Sequence, residues 1–408
     1  MTAPACQEGP ACQAVVARPR HIAYFDWLRA LGAVAIVLLH AVVACSVDEG
    51  ASAVAPGLLA AEGVALVPLS RWAVPVFFMM SGALMLDPTR EMGLRKVGRH
   101  IWRVAFVLLT IGFAFCLMES AYGAGAIGLS VVGEAVLDLL TGNSWGHLWY
   151  LYATLALYVV TPPLRWVVGM AERGTAPMVE VLVLVLWLLC CGAPTLAAAM
   201  ESGLAVVPSW LGTPVAGASA VGGVATCCGW AFPVVYYLAG HVLFRAGGRI
   251  ARGGAAWWVV MAVGACACVA MAWLEALGYP DFQLPELCLA LPFGAAVFLL
   301  ARDFLDVAVT TPVGGGGHPA EGDGYHLAGG GGHSAIAMLC GYSFGIYVIH
   351  PLFGHILLKL GVVTDAVASC GAGGVVALQL CIAALGLVGS MALTWTLRRW
   401  IPGFRGKV

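Results

Sequence analysis

Charge is what this sequence has least of. Asp, Glu, Lys and Arg make up only 10% of its 408 residues, and 20 basic side chains against 21 acidic ones leave a net charge of −1. Soluble domains carry about 25% charged residues, so an ordinary water-facing surface is excluded. With no basic excess, no nucleic-acid partner is expected. The 14 cysteines form no CxxC pair and no metal-ligand spacing, so no metal site is expected. Most of them, as in Cys190-Cys191 and Cys227-Cys228, read as small hydrophobes inside apolar stretches. There is no Walker loop, no Gly-rich dinucleotide turn after a strand and no soluble catalytic domain, and no permanently bound cofactor is implied. The first twenty residues hold Arg18 and Arg20 but no apolar run. The first apolar segment, Tyr24 to Cys45, exceeds the roughly 7–15 residues of a signal-peptide core and reads as a retained membrane helix.

What the chain does have is apolar length, with 61% hydrophobic residues and a mean hydropathy of +0.92. A helix needs about 20 mostly apolar residues to cross the hydrocarbon layer. Candidate spans are Tyr24 to Cys45, Val64 to Leu86, Trp102 to Met118, Leu148 to Leu164, Met178 to Met200, Trp230 to Phe244, Trp257 to Leu277, Leu287 to Ala301, Ala335 to Leu360 and Gly374 to Leu397. The expected fold is therefore all-α, a polytopic transmembrane bundle of about ten helices forming one membrane domain over residues 21–400. Leu204 to Gly229 is ambiguous. Lys and Arg collect on every second loop, at Arg90, Arg95, Lys96, Arg99 and Arg103, at Arg165 and Arg173, at Arg245, Arg249 and Arg252, at Arg302, and at Arg398, Arg399, Arg405 and Lys407. The intervening loops carry acidic residues, Glu134 and Asp138 among them. By the positive-inside rule the tails 1–20 and 401–408 are expected in the cytoplasm of a multi-pass plasma- or inner-membrane protein. The stretch 313–334, with GGGGH occurring twice, reads as a flexible cytoplasmic loop, since glycine this dense does not preorganise metal ligands.

Ionisable side chains inside a span are costly, on the order of 2.5–3.5 kcal/mol, and each is a functional candidate. Arg29 and His40 lie eleven residues apart on the first helix, about 1100° or three turns plus about 20°, so they share a face about 16 Å apart along the axis. A guanidinium near the cytoplasmic end suits a phosphate or carbonyl, and an imidazole in the outer half can accept a hydroxyl proton. The plainer readings are an Arg29 that snorkels or pairs with Asp26, and a His40 bonded to a neighbouring helix. Arg95, Arg99 and Arg103 step by four into the third span; the stripe either marks topology alone or seats the phosphates of a nucleotide-containing donor such as CoA.

Four motifs in order resemble the membrane acyltransferase 3 family, of the O-antigen acetylase and enterobacterial common antigen O-acetyltransferase type, over roughly His21 to Arg399. They are YFDWLRALGAVAIVLLH (Tyr24 to His40), RWAVPVFFMMSG (Arg71 to Gly82), HLWYLYATLALYVVTPPLR (His147 to Arg165) and YSFGIYVIHPL (Tyr342 to Leu352). The resemblance implies an integral membrane acyltransferase that takes acetyl, or another acyl group, from cytosolic acyl-CoA as cosubstrate and places it on an envelope glycan or glycolipid. Arg29 and His40 become the catalytic pair, with Arg71, His147 and His350 on the acceptor side. Two features depart from the pattern. Trp149 is followed by Tyr150, Leu151, Tyr152, Ala153 and Thr154, where many relatives have Ser-Leu and a glutamate, and no extracytoplasmic esterase-like domain is appended. Neither the acceptor nor the oligomeric state follows from the sequence. The rival reading is a transporter or flippase of envelope precursors, since Gly/Pro-containing helices and intramembrane charge also mark substrate pathways.

Overall fold

Without water to satisfy main-chain N–H and C=O groups, a membrane segment must close its own hydrogen bonds. In the computed structural model every regular element among the described residues is helical. The described residues are 22–125, 128–143, 145–174, 177–204, 222–226, 228–280, 288–305, 331–359 and 362–408. In chain order the helices are α1 (Ala23–Val47), α2 (Glu49–Val54), α3 (Pro56–Ser70), α4 (Ala73–Met85), α5 (Leu94–Val107), α6 (Phe113–Ala124), α7 (Leu129–Thr141), α8 (Trp149–Ala171), α9 (Met178–Trp187) and α10 (Ala193–Glu201). They continue as α11 (Phe232–Ala246), α12 (Ala255–Ala276), α13 (Ala290–Leu305), α14 (Gly331–Ile349), α15 (Pro351–Lys359), α16 (Val362–Ala384) and α17 (Ser390–Trp400). Single π-helical turns at Leu108–Gly112, Leu188–Gly192 and Leu385–Gly389 join α5 to α6, α9 to α10 and α16 to α17.

Seven of the resulting rods are long and apolar enough to cross a membrane, and α14 with α15, bent by 42°, makes an eighth if counted as one span. The remaining two expected spans correspond to α11 and α13, only 15 and 16 residues long. The chain is thus a multi-pass, all-α membrane protein. The second span, Pro56–Met85, extends well before the expected start at Val64 and is broken at Arg71-Trp72. Two of these helices, α2 and α7, lie outside every expected span. Glu134 and Asp138 lie on α7, whose Val131, Ala135 and Leu139 recur every fourth residue and are buried together. The tail 1–20, most of the glycine-rich loop 313–334 and most of Leu204 to Gly229 lie outside the described residues.

The centre of the bundle is α1. Its Tyr24, Phe25 and Leu28 pack with α4, α11 and α13, its Ile36 with α5, α6, α8 and α14, and its Ala33, Val37, Ala41 and Cys45 with α3 and α16. Close approach is carried by glycine, as is usual where helices cannot rely on expelling water. A Cβ on Gly82 would sit 1.7 Å from the Tyr237 carbonyl oxygen, and one on Gly240 2.0 Å from that of Met79. α4 and α11 therefore meet backbone to backbone. The bend between α14 and α15 has a local cause. Pro351 cannot donate to the Tyr347 carbonyl and its ring crowds that turn; His350 Nδ1 takes up the carbonyls of Ile346 and Tyr347 instead, each at 2.9 Å.

Candidate active site

At one end of the bundle a cavity of about 1140 Å³ opens between α1, α4, α5, α8 and α14. Its wall carries the cations Arg90, Arg103 and Arg398, the imidazole of His100 and, farther along, Arg29. The hydroxyl-bearing Tyr150, Thr154 and Tyr158 recur every fourth residue on α8 and so present one face to it, joined by Ser81 and Ser343. The segment that carries Arg90 is pinned from α8. Arg165 donates to the carbonyls of Met85, Asp87 and Arg90 at 2.6, 2.9 and 2.8 Å. Burial pushes the Asp87 carboxyl up, but the hydroxyl and amide of Thr89, with the charges of Arg245 and Arg90, outweigh burial and hold it below the usual carboxylate range. Residues 401–408 fold back onto the same end. Phe404 packs against Phe106, Arg103 Nε donates to the Lys407 carbonyl at 3.0 Å, and Arg398 Nε donates to that of Val408. Arg29 pairs with Asp26 at 3.3 Å, the plainer reading of that residue, and also lines the cavity.

Beyond Arg29 the space narrows into a cavity of about 140 Å³ lined by Phe77, Met80, Leu84, Phe344 and Tyr347, together with Ser81, Tyr150 and Ser343. Behind its far wall stand three histidines. The rings of His40 and His350 are 4.9 Å apart and those of His147 and His350 5.9 Å. A carbonyl oxygen can only accept, so the partner of each ring fixes its tautomer. His40 Nδ1 donates to the Ile36 carbonyl at 2.9 Å and His350 Nδ1 to those of Ile346 and Tyr347, which leaves Nε2 of each as a lone pair. His147 is the reverse, since its Nε2 donates to the Val348 carbonyl at 3.0 Å and Nδ1 is the lone pair. His350 is 2% exposed, and its Nε2 is buried without a hydrogen-bond partner among the described residues. Three basic nitrogens thus gather where a hydroxyl group is the natural complement.

Of the residues singled out in the sequence, His40, His147 and His350 come together, although they lie on α1, before α8 and between α14 and α15. Their ring contacts span up to 310 positions of chain. Arg71 sits at the break between α3 and α4, within electrostatic range of His40. His40 is bonded within its own helix, with no hydrogen bond to a neighbouring helix among the described residues. The stripe on α5 divides: all three arginines are exposed, but only Arg103 lines the cavity. Arg90, His100 and Arg398 complete the mouth. Arg90 and Arg398 had registered only as topology markers, because which loop cations converge depends on helix order. The α8 hydroxyl face was visible as a four-residue period. Tyr347, whose hydroxyl donates to the His147 carbonyl, lay unremarked inside a quoted motif.

A family model described as an acyltransferase domain matches residues 22–399. No curated protein and no solved structure matches the chain.

Proposed function

The chain belongs to this acyltransferase family, and on that premise we propose that it moves acetyl from cytosolic acetyl-CoA to a hydroxyl of a cell-envelope glycan or glycolipid. The observation that carries this reading is the pairing of an arginine-mouthed cavity with lone-pair imidazoles behind its inner end. Guanidinium groups bind phosphate oxygens through forked, charge-assisted hydrogen bonds. Arg90, Arg103 and Arg398 seat the donor's phosphates, with Arg95 and Arg99 adding positive charge on the exposed face of α5. The pantetheine arm runs inward past Arg29, which donates to its carbonyls, and carries the thioester toward His40.

There the acceptor hydroxyl gives its proton to His40 Nε2 as its oxygen attacks the thioester carbon. The new C–O bond forms, the C–S bond breaks, and the imidazolium returns the proton to the departing thiolate. A two-step route through an acetylated Nε2 uses the same nitrogen and the same leaving group. His350 and His147 supply further acceptors for the hydroxyl, and Arg71 supports negative charge on the attacked carbonyl oxygen. With the basic loops inward, the donor cavity faces the cytoplasm and the acceptor arrives from the other side. The protein then resides in the plasma or inner membrane with both termini cytoplasmic.

The test is transfer of radiolabel from acetyl-CoA into envelope glycans by membranes containing the protein. His40→Ala is expected to abolish label while leaving the protein inserted and folded. Normal labelling by that variant would overturn the scheme, and no label from any acyl-CoA would favour a transporter.

A further inference from the structure

The two cavities and the histidines are not continuous. Neither cavity is lined by His40, His147 or His350. What intervenes is a wall of three rings, Phe77, Tyr150 and Tyr347, with Phe77 and Tyr150 6.3 Å apart and Tyr150 and Tyr347 5.0 Å apart between centroids. Tyr347 is held by the bond from its hydroxyl to the His147 carbonyl and by burial at 5% exposure. Phe77 has no polar group with which to be held, and it is only partly buried. The tip of its ring lies against Gly32 of α1, where a Cβ would meet Cζ at 3.0 Å and the adjacent ring carbons at 3.4 and 3.6 Å. Gly32 lies one turn beyond Arg29 on the way to His40. The ring therefore stands across the direct route from the donor cavity to the imidazoles, in a notch that exists because α1 has no side chain there.

Resting on the acyltransferase reading, we infer that Phe77 is the movable part of this wall and sets the length of acyl group that the protein transfers. A cavity of about 150 Å³ with apolar walls holds a molecule the size of benzene, about six non-hydrogen atoms. The inner cavity, at about 140 Å³, holds a short acyl thioester on the same scale and leaves no room for a long chain. The acyl group waits beneath the ring, and a rotation of Phe77 out of its notch against Gly32 admits it to His40. Each added methylene must find room under the ring first, and in an apolar pocket one methylene is worth about 10–200-fold in selectivity.

The experiment compares transfer from acetyl-, butanoyl- and hexanoyl-CoA into envelope glycans by membranes containing the full-length protein, with folding followed on the solubilised protein by size-exclusion profile and thermal midpoint. Wild type is expected to favour acetyl. Phe77→Ala is expected to raise the hexanoyl-to-acetyl ratio by at least about tenfold, and Phe77→Leu, which keeps more of the packing, by less but in the same direction. Gly32→Ala pushes the ring toward the cavity and is expected to lower the ratio, an effect that disappears when Phe77 is also alanine, as coupled neighbours require. A folded Phe77→Ala or Phe77→Leu protein that transfers acetyl with an unchanged ratio would overturn the inference while leaving the acyltransferase reading intact. So would a wild type that takes all three donors equally. Absence of transfer from every donor by wild type would remove both.

Discussion

His350 owes its place to the residue that follows it. In a continuous helix the N–H of residue 351 would hold the Tyr347 carbonyl; proline has none, and the His350 ring donates to that oxygen in its stead. The bond fixes both the bend and the tautomer that leaves Nε2 as the lone pair. Pro351→Ala restores the main-chain donor, which then competes with Nδ1 for the same carbonyl and straightens the 42° bend. The variant is expected to fold with an unchanged or higher thermal midpoint, because a helix-interior proline costs about 3 kcal/mol. Its transfer activity should nevertheless fall, by as much as about 100-fold if the imidazole moves by about 1 Å. Activity equal to wild type with the bend removed would show that the position of His350 does not matter to the reaction. This residue was legible in sequence only as a histidine in a familiar motif. That proline sets its hydrogen bonds follows from the local chain, whereas its approach to His40 required the fold.

Glycine decides which helices touch. Gly82 of α4 and Gly240 of α11 each leave space that a carbonyl oxygen of the partner helix fills. Gly82→Ala or Gly240→Ala places a carbon inside the contact distance of backbone, which cannot rotate away, and is expected to abolish folded protein in a fluorescence-detected size-exclusion profile. Gly98→Ala on α5 and Gly169→Ala on α8, whose Cβ atoms would meet nothing within 4 Å, are expected to be neutral or to stabilise by up to about 1 kcal/mol through helix propensity. Equal behaviour of the two pairs would mean that α4 and α11 are not in backbone contact. Hydropathy and spacing anticipated the long apolar helices, because length and apolar content alone decide them. They could not anticipate α7, which is only 13 residues long and carries two carboxylates. Nor could they anticipate the π-helical turns or the bend at Pro351, which depend on neighbours. Gly82 stood in a quoted motif, but its meaning depended on Gly240, 158 positions away.

For the whole molecule the charge pattern makes the plainest forecast. The cavity with Arg90, Arg103 and Arg398 lies at the end of the bundle that carries the basic loops, so a reporter active only in the cytoplasm should work when fused at either terminus, and one active only outside should not. The opposite result would turn this cavity outward and count against its proposed use as a seat for CoA. The sequence placed Arg29 and His40 on one helix face and brought ionisable residues forward as candidates, because intramembrane charge is rare enough to be conspicuous. It could not sort Arg103 from Arg95 and Arg99, which share a helix face at the surface and differ only in what packs opposite.

The folded-back segment 401–408 has a consequence for that mouth. Its carbonyls engage Arg103 and Arg398, and Arg398 also donates to the Gly341 carbonyl at 2.9 Å. Long side chains at a phosphate site ordinarily surrender their rotational freedom when the ligand arrives, at a cost of as much as about 2 kcal/mol each. Here two of the three mouth arginines are already hydrogen-bonded to the chain's own main-chain oxygens, so on the proposed reading part of that ordering cost belongs to folding and not to binding.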